Sequence, residues 1–214
     1  QCKLRGWLKE LRRTEYNRMT QSMLSFDSVD VNEWRAFWKW GCSQVLTNET
    51  LRQAVDRMPT DTMWLHSDPI YGPMSDWDVS NVTDMSGLFA DKYLDFNEDI
   101  SGWDVSNVTN MSRMFESARS FKFLIGHGGG IGAWDVSKVT DMSRMFHDAR
   151  GFNMDISGWD VSNVKNMYMM FYNARAFNAD ISGWDVSNVT DMSYMFAETR
   201  VFNQDIGGWD VSNV

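Results

Sequence analysis

The hydrophobic residues of this chain recur in a fixed phrase, and the polar residues between them recur as well. In one example of the phrase, Trp184 and Val186 alternate around a polar position, a spacing typical of a short β-strand. Met192, Met195 and Phe196 follow at positions i, i+3 and i+4, which is the spacing of one helical turn. The pattern therefore predicts a short strand followed by a short helical turn in every repeat.

The phrase begins with Trp-Asp-Val-Ser and occurs six times, mostly at intervals of 25 residues. Its tryptophans are Trp77, Trp103, Trp134, Trp159, Trp184 and Trp209. A fixed period of this length is typical of solenoid proteins, because each repeat buries its apolar face only against its neighbours. We therefore predict an α/β repeat solenoid that is leucine-rich-repeat-like, with short parallel strands plus short helical turns. Columns of Trp, Met and Phe side chains would form its core.

The chain divides into two predicted domains. Residues 1–60 do not repeat and are predicted to form a helical N-terminal region, of which residues 31–60 cap the first repeat. One helix of this cap would begin after Thr47 or Asn48 and end at Pro59. Residues 61–214 would form the solenoid of about six 25-residue units, the last of which is incomplete.

The first predicted helix of the N-terminal region is basic and amphipathic. Leu4, Trp7, Leu8 and Leu11 share one face of this helix. Its basic residues include Lys3, Arg5, Lys9, Arg12 and Arg13. Such a helix can lie on an anionic membrane surface or dock on an acidic partner, and it can also be an ordinary packed helix with a solvated basic face.

Charge and composition narrow the classes of function. The net charge is −9, and residues 1–19, with six basic and two acidic side chains, carry +4, so the rest carries −13. This acidic body disfavours nucleic acid as a partner, because phosphates would be repelled. The sequence contains no apolar run of about 18 residues, the length that a transmembrane helix needs. Cys2 and Cys42 could form one disulfide or remain two free thiols.

A column of aspartates is the candidate binding face. One aspartate follows each tryptophan of the phrase: Asp78, Asp104, Asp135, Asp160, Asp185 and Asp210. Neighbouring carboxylates about 5 Å apart would repel by roughly 0.8 kcal/mol in water. Hydrogen bonds from the serines two residues later, bridging cations or a basic protein partner could each offset this repulsion. Calcium is the only cofactor that the pattern suggests, and it would need about six to eight oxygen ligands.

Two further charged columns run through the repeats. The arginine column comprises Arg119, Arg150, Arg175 and Arg200, and a second aspartate column comprises Asp155, Asp180 and Asp205. Each of these aspartates follows an arginine of the column by five residues. We expect the two columns to neutralise one another as a surface ladder, with calcium bridging of aspartate pairs as the alternative.

One interval between repeats is longer than the others because of a glycine-rich insertion. This candidate contact loop contains Gly126, His127, Gly128, Gly129 and Gly130. A glycine-rich loop can cradle phosphate, but no Lys-Ser or Lys-Thr pair follows it here. The insertion is therefore either a contact loop or a tolerated bulge.

The sequence does not predict an enzyme. Catalysis needs one asymmetric constellation of differently tuned groups, whereas the carboxylates of this chain are repeated identically. His66, His127 and His147 lack the spacing of metal ligands. We therefore expect no catalytic residues and no bound metal.

The residues 74–214 resemble a known repeat family. Their phrase, F-N-x-D-I-S-G-W-D-V-S-N-V-T-D-M-S-x-M-F, is similar to the repeat of the DUF285 or BspA-like surface proteins. The resemblance implies a leucine-rich-repeat-like solenoid, an extracellular, cell-surface or membrane-associated location, and protein binding or adhesion rather than catalysis. The alternative is a structural or accessory subunit of a larger assembly, docked by its N-terminal helix and by the open end of the solenoid.

Overall fold

The computed structural model describes only part of the chain, and all of that part lies within one compact unit, Ser43–Val214. The described residues are 45–57, 67–68, 72–91, 98–119 and 130–214. The basic helix predicted near the N-terminus therefore lies outside them. Among the described residues, no helix is both long and apolar enough to span a membrane.

Regular secondary structure is sparse in this unit. Its elements are one α-helix, α1 (Asn48–Asp56), two short strands, β1 (Ser67–Asp68) and β2 (Gly72–Pro73), and two 3-10 turns, Met74–Asp76 and Gly130–Ala133. The strands pair antiparallel, with Ser67 opposite Pro73 and Asp68 opposite Gly72. Everything else in the described part of the chain consists of turns, bends and isolated bridges.

The repeats stack so that the apolar positions of the phrase meet in one core, as the sequence predicts. We number them 1 to 6 from Trp77, Trp103, Trp134, Trp159, Trp184 and Trp209. The first five tryptophans are only 3–5% exposed. The Phe146 ring lies 5.7 Å from both the Phe115 ring before it and the Phe171 ring after it. Each repeat therefore contributes one layer to a continuous column of stacked rings.

Backbone hydrogen bonds join each of repeats 2 to 4 to both of its neighbours. The N–H groups of Met142, Arg144 and Phe146 in repeat 3 donate to carbonyl oxygens of repeat 4 at 2.8–3.0 Å. The indole Nε1 of Trp159 donates to the Ile131 carbonyl, 28 residues earlier in the chain, at 2.9 Å. A repeat thus satisfies its buried polar groups with its neighbours rather than within itself.

The predicted α/β repeat solenoid is wrong, because no described repeat contains a regular strand or helix. Repeats are linked only by isolated parallel bridges, such as the bridge between Asp141 and Asn166. The expected helical turn has left-handed residues, with φ of 55° at Arg144 and 56° at Asp148, which an α-helix does not admit. The expected strand bends at once, because the Ser137 N–H donates back to the Asp135 carboxylate.

The helix expected after Thr47 is present. Thr47 is its N-cap, and its side chain accepts a hydrogen bond from the Thr50 N–H. Leu51, Ala54 and Val55 are completely buried in the same core as the repeats. Helix α1 therefore belongs to the same packed body as the repeats.

Helix α1 covers the edge of repeat 1, and its side chains make the hydrogen bonds that the backbone of a preceding repeat makes elsewhere. The Asn48 Oδ1 accepts hydrogen bonds from the N–H groups of Thr83 (2.9 Å) and Asp84 (3.2 Å). The Arg52 Nη1 donates to the Ser86 carbonyl at 2.7 Å. In later repeats the equivalent Thr N–H and Ser or Tyr carbonyl groups are paired with the backbone of the preceding repeat. The cap thus supplies the partners that repeat 1 would otherwise lack.

Candidate functional site

The aspartate column forms a ridge along one face of the repeats, and each of its carboxylates is held by its own turn. We call it the aspartate ridge: Asp78, Asp104, Asp135, Asp160, Asp185 and Asp210. In repeat 3 the Asp135 Oδ1 accepts from the Ser137 N–H at 3.1 Å and from the Ser137 hydroxyl at 2.6 Å. The backbone bond recurs at all six positions. All of the ridge residues are exposed except Asp78, which is half-buried.

The serine donors favour the ionised form of four of the ridge carboxylates. Hydrogen bonds from the hydroxyl and the N–H of the following serine lower the pKa of Asp104, Asp135, Asp185 and Asp210 below the ordinary aspartate value. Repulsion from Asp135 acts in the opposite direction on the pKa of Asp104 and is outweighed. The first of the three expected ways to offset the repulsion is therefore present in the structure.

Each ridge carboxylate keeps one oxygen available. All of the serine hydrogen bonds end on Oδ1. The Oδ2 atoms have no hydrogen-bond partner among the described residues. Lys138 lowers the pKa of Asp104 and Asp135 through its charge, while its Nζ donates to the Asn107 side chain at 2.7 Å. The ridge therefore presents a row of ionised acceptors to its surroundings.

The second aspartate column is built in the same way and does not pair with the arginine column. Asp155 and Asp180 accept from Ser157 and Ser182, whose hydroxyls lie 2.7 Å away. These hydrogen bonds lower the pKa of both carboxyls. The expectation that this column neutralises the arginines is wrong for Arg119 and Arg150, which instead bind Asp148.

No metal site is apparent in the described residues, where no group of three or more His, Cys, Asp or Glu side chains converges. The aspartates of a ridge are one repeat apart, and each turns its Oδ1 toward its own serine. The arrangement in this part of the chain therefore does not gather the six or more oxygens that calcium prefers.

Only one residue of the candidate contact loop lies in the described part of the chain. Gly130 is buried and adopts a φ of 63° at the start of a 3-10 turn. A Cβ atom there would lie 2.8 Å from the Met154 Cε. Gly126, His127, Gly128 and Gly129 lie outside the described residues. The same holds for the basic N-terminal residues Lys3, Arg5, Lys9, Arg12 and Arg13.

The structure assembles a second charged cluster that sequence reasoning missed. Glu116 is 6% exposed, and its carboxylate pairs with Arg113 of its own repeat and with Arg144 of the next, 3.6 Å away. Its Oε1 lies 3.5 Å from the Nδ1 of His147, a buried atom without a hydrogen-bond partner. The His147 ring stacks on Tyr172 with the ring centroids 5.0 Å apart. Repeats 2, 3 and 4 thus place Glu, His and Tyr in one column.

A parallel cluster surrounds Asp148, which is 8% exposed. The Nε atoms of Arg119 and Arg150 each lie 2.9 Å from its carboxylate oxygens, and Asn173 also donates to it. Burial raises the pKa of Asp148 and the hydrogen bonds from Arg150 and Arg119 lower it, with a net lowering. The available signal was that the positions of Glu116 and Asp148 vary between repeats, whereas the tryptophan and phenylalanine positions of the core do not.

The role of the serine donors can be tested by changing Ser137 to Ala. We expect the pKa of the Asp135 carboxyl to rise toward its ordinary value, because the hydroxyl donor at 2.6 Å is lost. A lowered pKa contributes stability that is present above the ordinary value and lost as the pH falls through the lowered one. The variant should therefore lose less stability than wild type between neutral and acid pH. Carbon-detected NMR titration and urea unfolding at several pH values measure both effects, with Asp185 as the internal control. An unchanged Asp135 titration would contradict this account.

Comparison with known families places the repeats in a group without an assigned function. A family model described as "Mycoplasma protein of unknown function, DUF285" matches residues 39–127 and again residues 126–214. No curated protein and no solved structure matches the chain.

Proposed function

The chain belongs to the DUF285 family, whose function is unknown, and we propose that it is a non-catalytic protein-interaction or adhesion module that binds through its aspartate ridge. The observation that carries the proposal is the row of carboxylate Oδ2 atoms, one in each repeat, which have no hydrogen-bond partner among the described residues. A protein surface with lysine or arginine side chains at a similar spacing is the partner that this row fits. The cell-surface location rests on the resemblance of the phrase to surface-protein repeats.

The ridge is preferred over the second aspartate column because it is continuous. It has one member in each repeat from Asp78 to Asp210. The second column is interrupted at the insertion, where Gly130–Ala133 takes the place of its aspartate turn. A partner that contacts several repeats in succession therefore finds an unbroken row only on the ridge.

Two variants with equal loss of charge test this proposal. The ridge variant carries Asp135→Asn, Asp160→Asn and Asp185→Asn; the column variant carries Asp155→Asn, Asp180→Asn and Asp205→Asn. Asparagine keeps the Oδ1 acceptor, so the serine turns persist. Binding of a short polylysine peptide is measured by calorimetry at about 0.1 M salt, where the Debye length is about 10 Å. We expect the ridge variant to bind about tenfold more weakly than the column variant. Equal losses in the two would mean that net charge alone attracts the peptide, and the proposal would fail.

A structural or accessory subunit of a larger assembly is the second candidate, and the edge of repeat 5 is the surface on which it would dock. The N–H groups of Met192, Tyr194, Phe196 and Glu198 have no acceptor among the described residues, whereas the corresponding groups of repeat 4 pair with repeat 5. Tyr194 is 63% exposed at this edge. Further repeats or a neighbouring subunit would pair with these donors. Cross-linking mass spectrometry of native material would support a subunit if it joined Lys138 to another protein, and exclusively intrachain links would count against it.

A further inference from the structure

Five arginines form a positively charged surface on the turns of repeats 2 to 4. We call it the arginine patch: Arg113, Arg119, Arg144, Arg150 and Arg175. Three acidic groups lie among them, namely the buried Glu116 and Asp148 and the exposed Asp91. The pKa of Arg113 is raised by its hydrogen bond to Glu116, by the charge of Glu116 and, to a smaller extent, by the charge of Asp91. Five positive and three negative groups give the patch a charge of +2 on a chain whose net charge is −9. The patch is therefore a local reversal of the charge of the molecule.

Two arginines of the patch are oriented through Nε alone, which leaves their terminal donors free of partners in the described part of the chain. Arg119 meets Asp148 through Nε, and Arg175 meets the Asn173 side chain through Nε at 2.8 Å. The terminal Nη groups of Arg119 and Arg175 have no partner among the described residues. The side chain of Arg119 is 49% exposed, and that of Arg113 is 53% exposed. Arg119 and Arg175 can therefore still bind a carboxylate from outside.

The spacing of the patch matches the spacing of the aspartate ridge. The patch consists of two columns, Arg113 with Arg144 and Arg119 with Arg150 and Arg175, and each column, like the ridge, has one member per repeat. The phenylalanine rings of successive repeats lie 5.6–5.9 Å apart. An extended acidic peptide places side chains of one face about 6.6 Å apart, so it loses register over a few repeats. A second copy of this chain carries its carboxylates at the same repeat as the arginines.

We propose that the arginine patch of one copy binds the aspartate ridge of a second copy, so that chains associate side by side. This inference rests on the proposed function, because it makes the ridge a binding face and names its cationic partner. The two surfaces differ, so the contact is heterologous and leaves a free ridge on one copy and a free patch on the other. Association therefore continues beyond a dimer, and it weakens as salt screens the charges.

Two variants of the full chain separate the surfaces. The patch variant carries Arg113→Gln, Arg119→Gln and Arg175→Gln, which leaves Arg144 with Glu116 and Arg150 with Asp148. The ridge variant is the triple Asp→Asn variant described above. Thermal unfolding of both confirms that they fold. Sedimentation velocity over a concentration series then measures association at about 0.02 M and about 0.5 M salt.

We expect wild type to form species larger than a dimer at low salt and to dissociate at high salt. Each variant alone should associate about tenfold more weakly, since three charge pairs of modest strength are lost. An equimolar mixture should form a one-to-one complex and no larger species, because only the ridge of the patch variant and the patch of the ridge variant remain intact. Association that is lost in each variant and restored when the two are mixed is specific to a contact between two different surfaces.

Other outcomes would overturn the inference. Wild type that stays monomeric at low salt would do so, and binding of polyglutamate by such a monomer would reassign the patch to an acidic peptide. Association that persists in both variants would point to another contact, such as the edge of repeat 5. If polylysine binds the ridge variant more weakly than the column variant while copies of the chain do not associate, this inference fails and the proposed function stands. If polylysine binds the two variants equally and copies do not associate, both the inference and the proposed function fail.

Discussion

Replacing Phe146 by alanine is expected to lower the free energy of unfolding by about 3–5 kcal/mol, the usual cost of truncating a buried phenylalanine. The side chain is completely buried in the middle of the stack. Its ring contacts Phe152 of the same repeat at a centroid distance of 3.8 Å and lies between Phe115 and Phe171 of the neighbouring repeats. The cavity would therefore open between three repeats and would weaken both of their interfaces.

Urea unfolding monitored by tryptophan fluorescence measures this effect. Domains of this kind are stable by about 5–15 kcal/mol, so the variant should show a large shift of the midpoint. Phe146→Leu keeps most of the apolar volume and should cost less. Tyr194→Ala removes a side chain that is 63% exposed and should change stability little. If the Phe146→Ala variant has the same urea midpoint as the Tyr194→Ala variant, the ring column does not hold the repeats together.

Replacing Gly132 by serine is expected to destabilise the protein by about 1–3 kcal/mol, although serine is the residue that the regular repeats carry at this position. Ser157 and Ser182 are its counterparts in the next two repeats. In the 3-10 turn that closes the insertion, a Cβ atom on Gly132 would lie 2.4 Å from the backbone carbonyl oxygen of Asp155 in the next repeat. Because a backbone atom cannot move aside as a flexible side chain can, the two repeats would have to separate.

The matched control is Gly183→Ser, since a Cβ atom at Gly183 meets nothing within 4 Å. We expect that variant to unfold within about 0.5 kcal/mol of wild type. The melting temperatures and urea midpoints of the two variants are compared directly. A Gly132→Ser variant as stable as Gly183→Ser, or more stable than wild type, would mean that the return from the insertion is not closely packed against the Asp155 turn of the next repeat.

The sequence by itself determined which side chains are buried and how often the unit recurs. Trp159, Val161 and Phe171 belong to a phrase repeated at a nearly constant interval, and such a phrase can bury its apolar residues only against its own neighbouring copies. It also placed the start of α1 to within one residue, because Thr47 and Asn48 are both capping residues and a helix-forming segment follows them. Both of these are properties of short stretches of chain.

The backbone conformation of the repeat was decided only by the tertiary structure. The spacing of Met192, Met195 and Phe196 is compatible with a helical turn, yet the residue between them, Tyr194, has a φ of 59°. Nothing in a tyrosine signals a left-handed conformation. Its counterpart in repeat 4, Met169, has a φ of 54°, and there the N–H group points toward the next repeat and donates to the Ser193 carbonyl. Contacts between repeats therefore override the local helical preference.

The candidate site divides along the same line. The aspartate ridge was predictable, because Asp and Ser two residues apart recur in every phrase and their hydrogen bond is local. The cluster around Glu116 was not, because His147 and Arg144 occupy variable positions of the following repeat and carry no pattern. Only the stacking of one repeat on the next brings these groups within a few ångströms of each other. Local hydrogen bonds could therefore be derived from the sequence, while charge clusters formed across repeats required the structure.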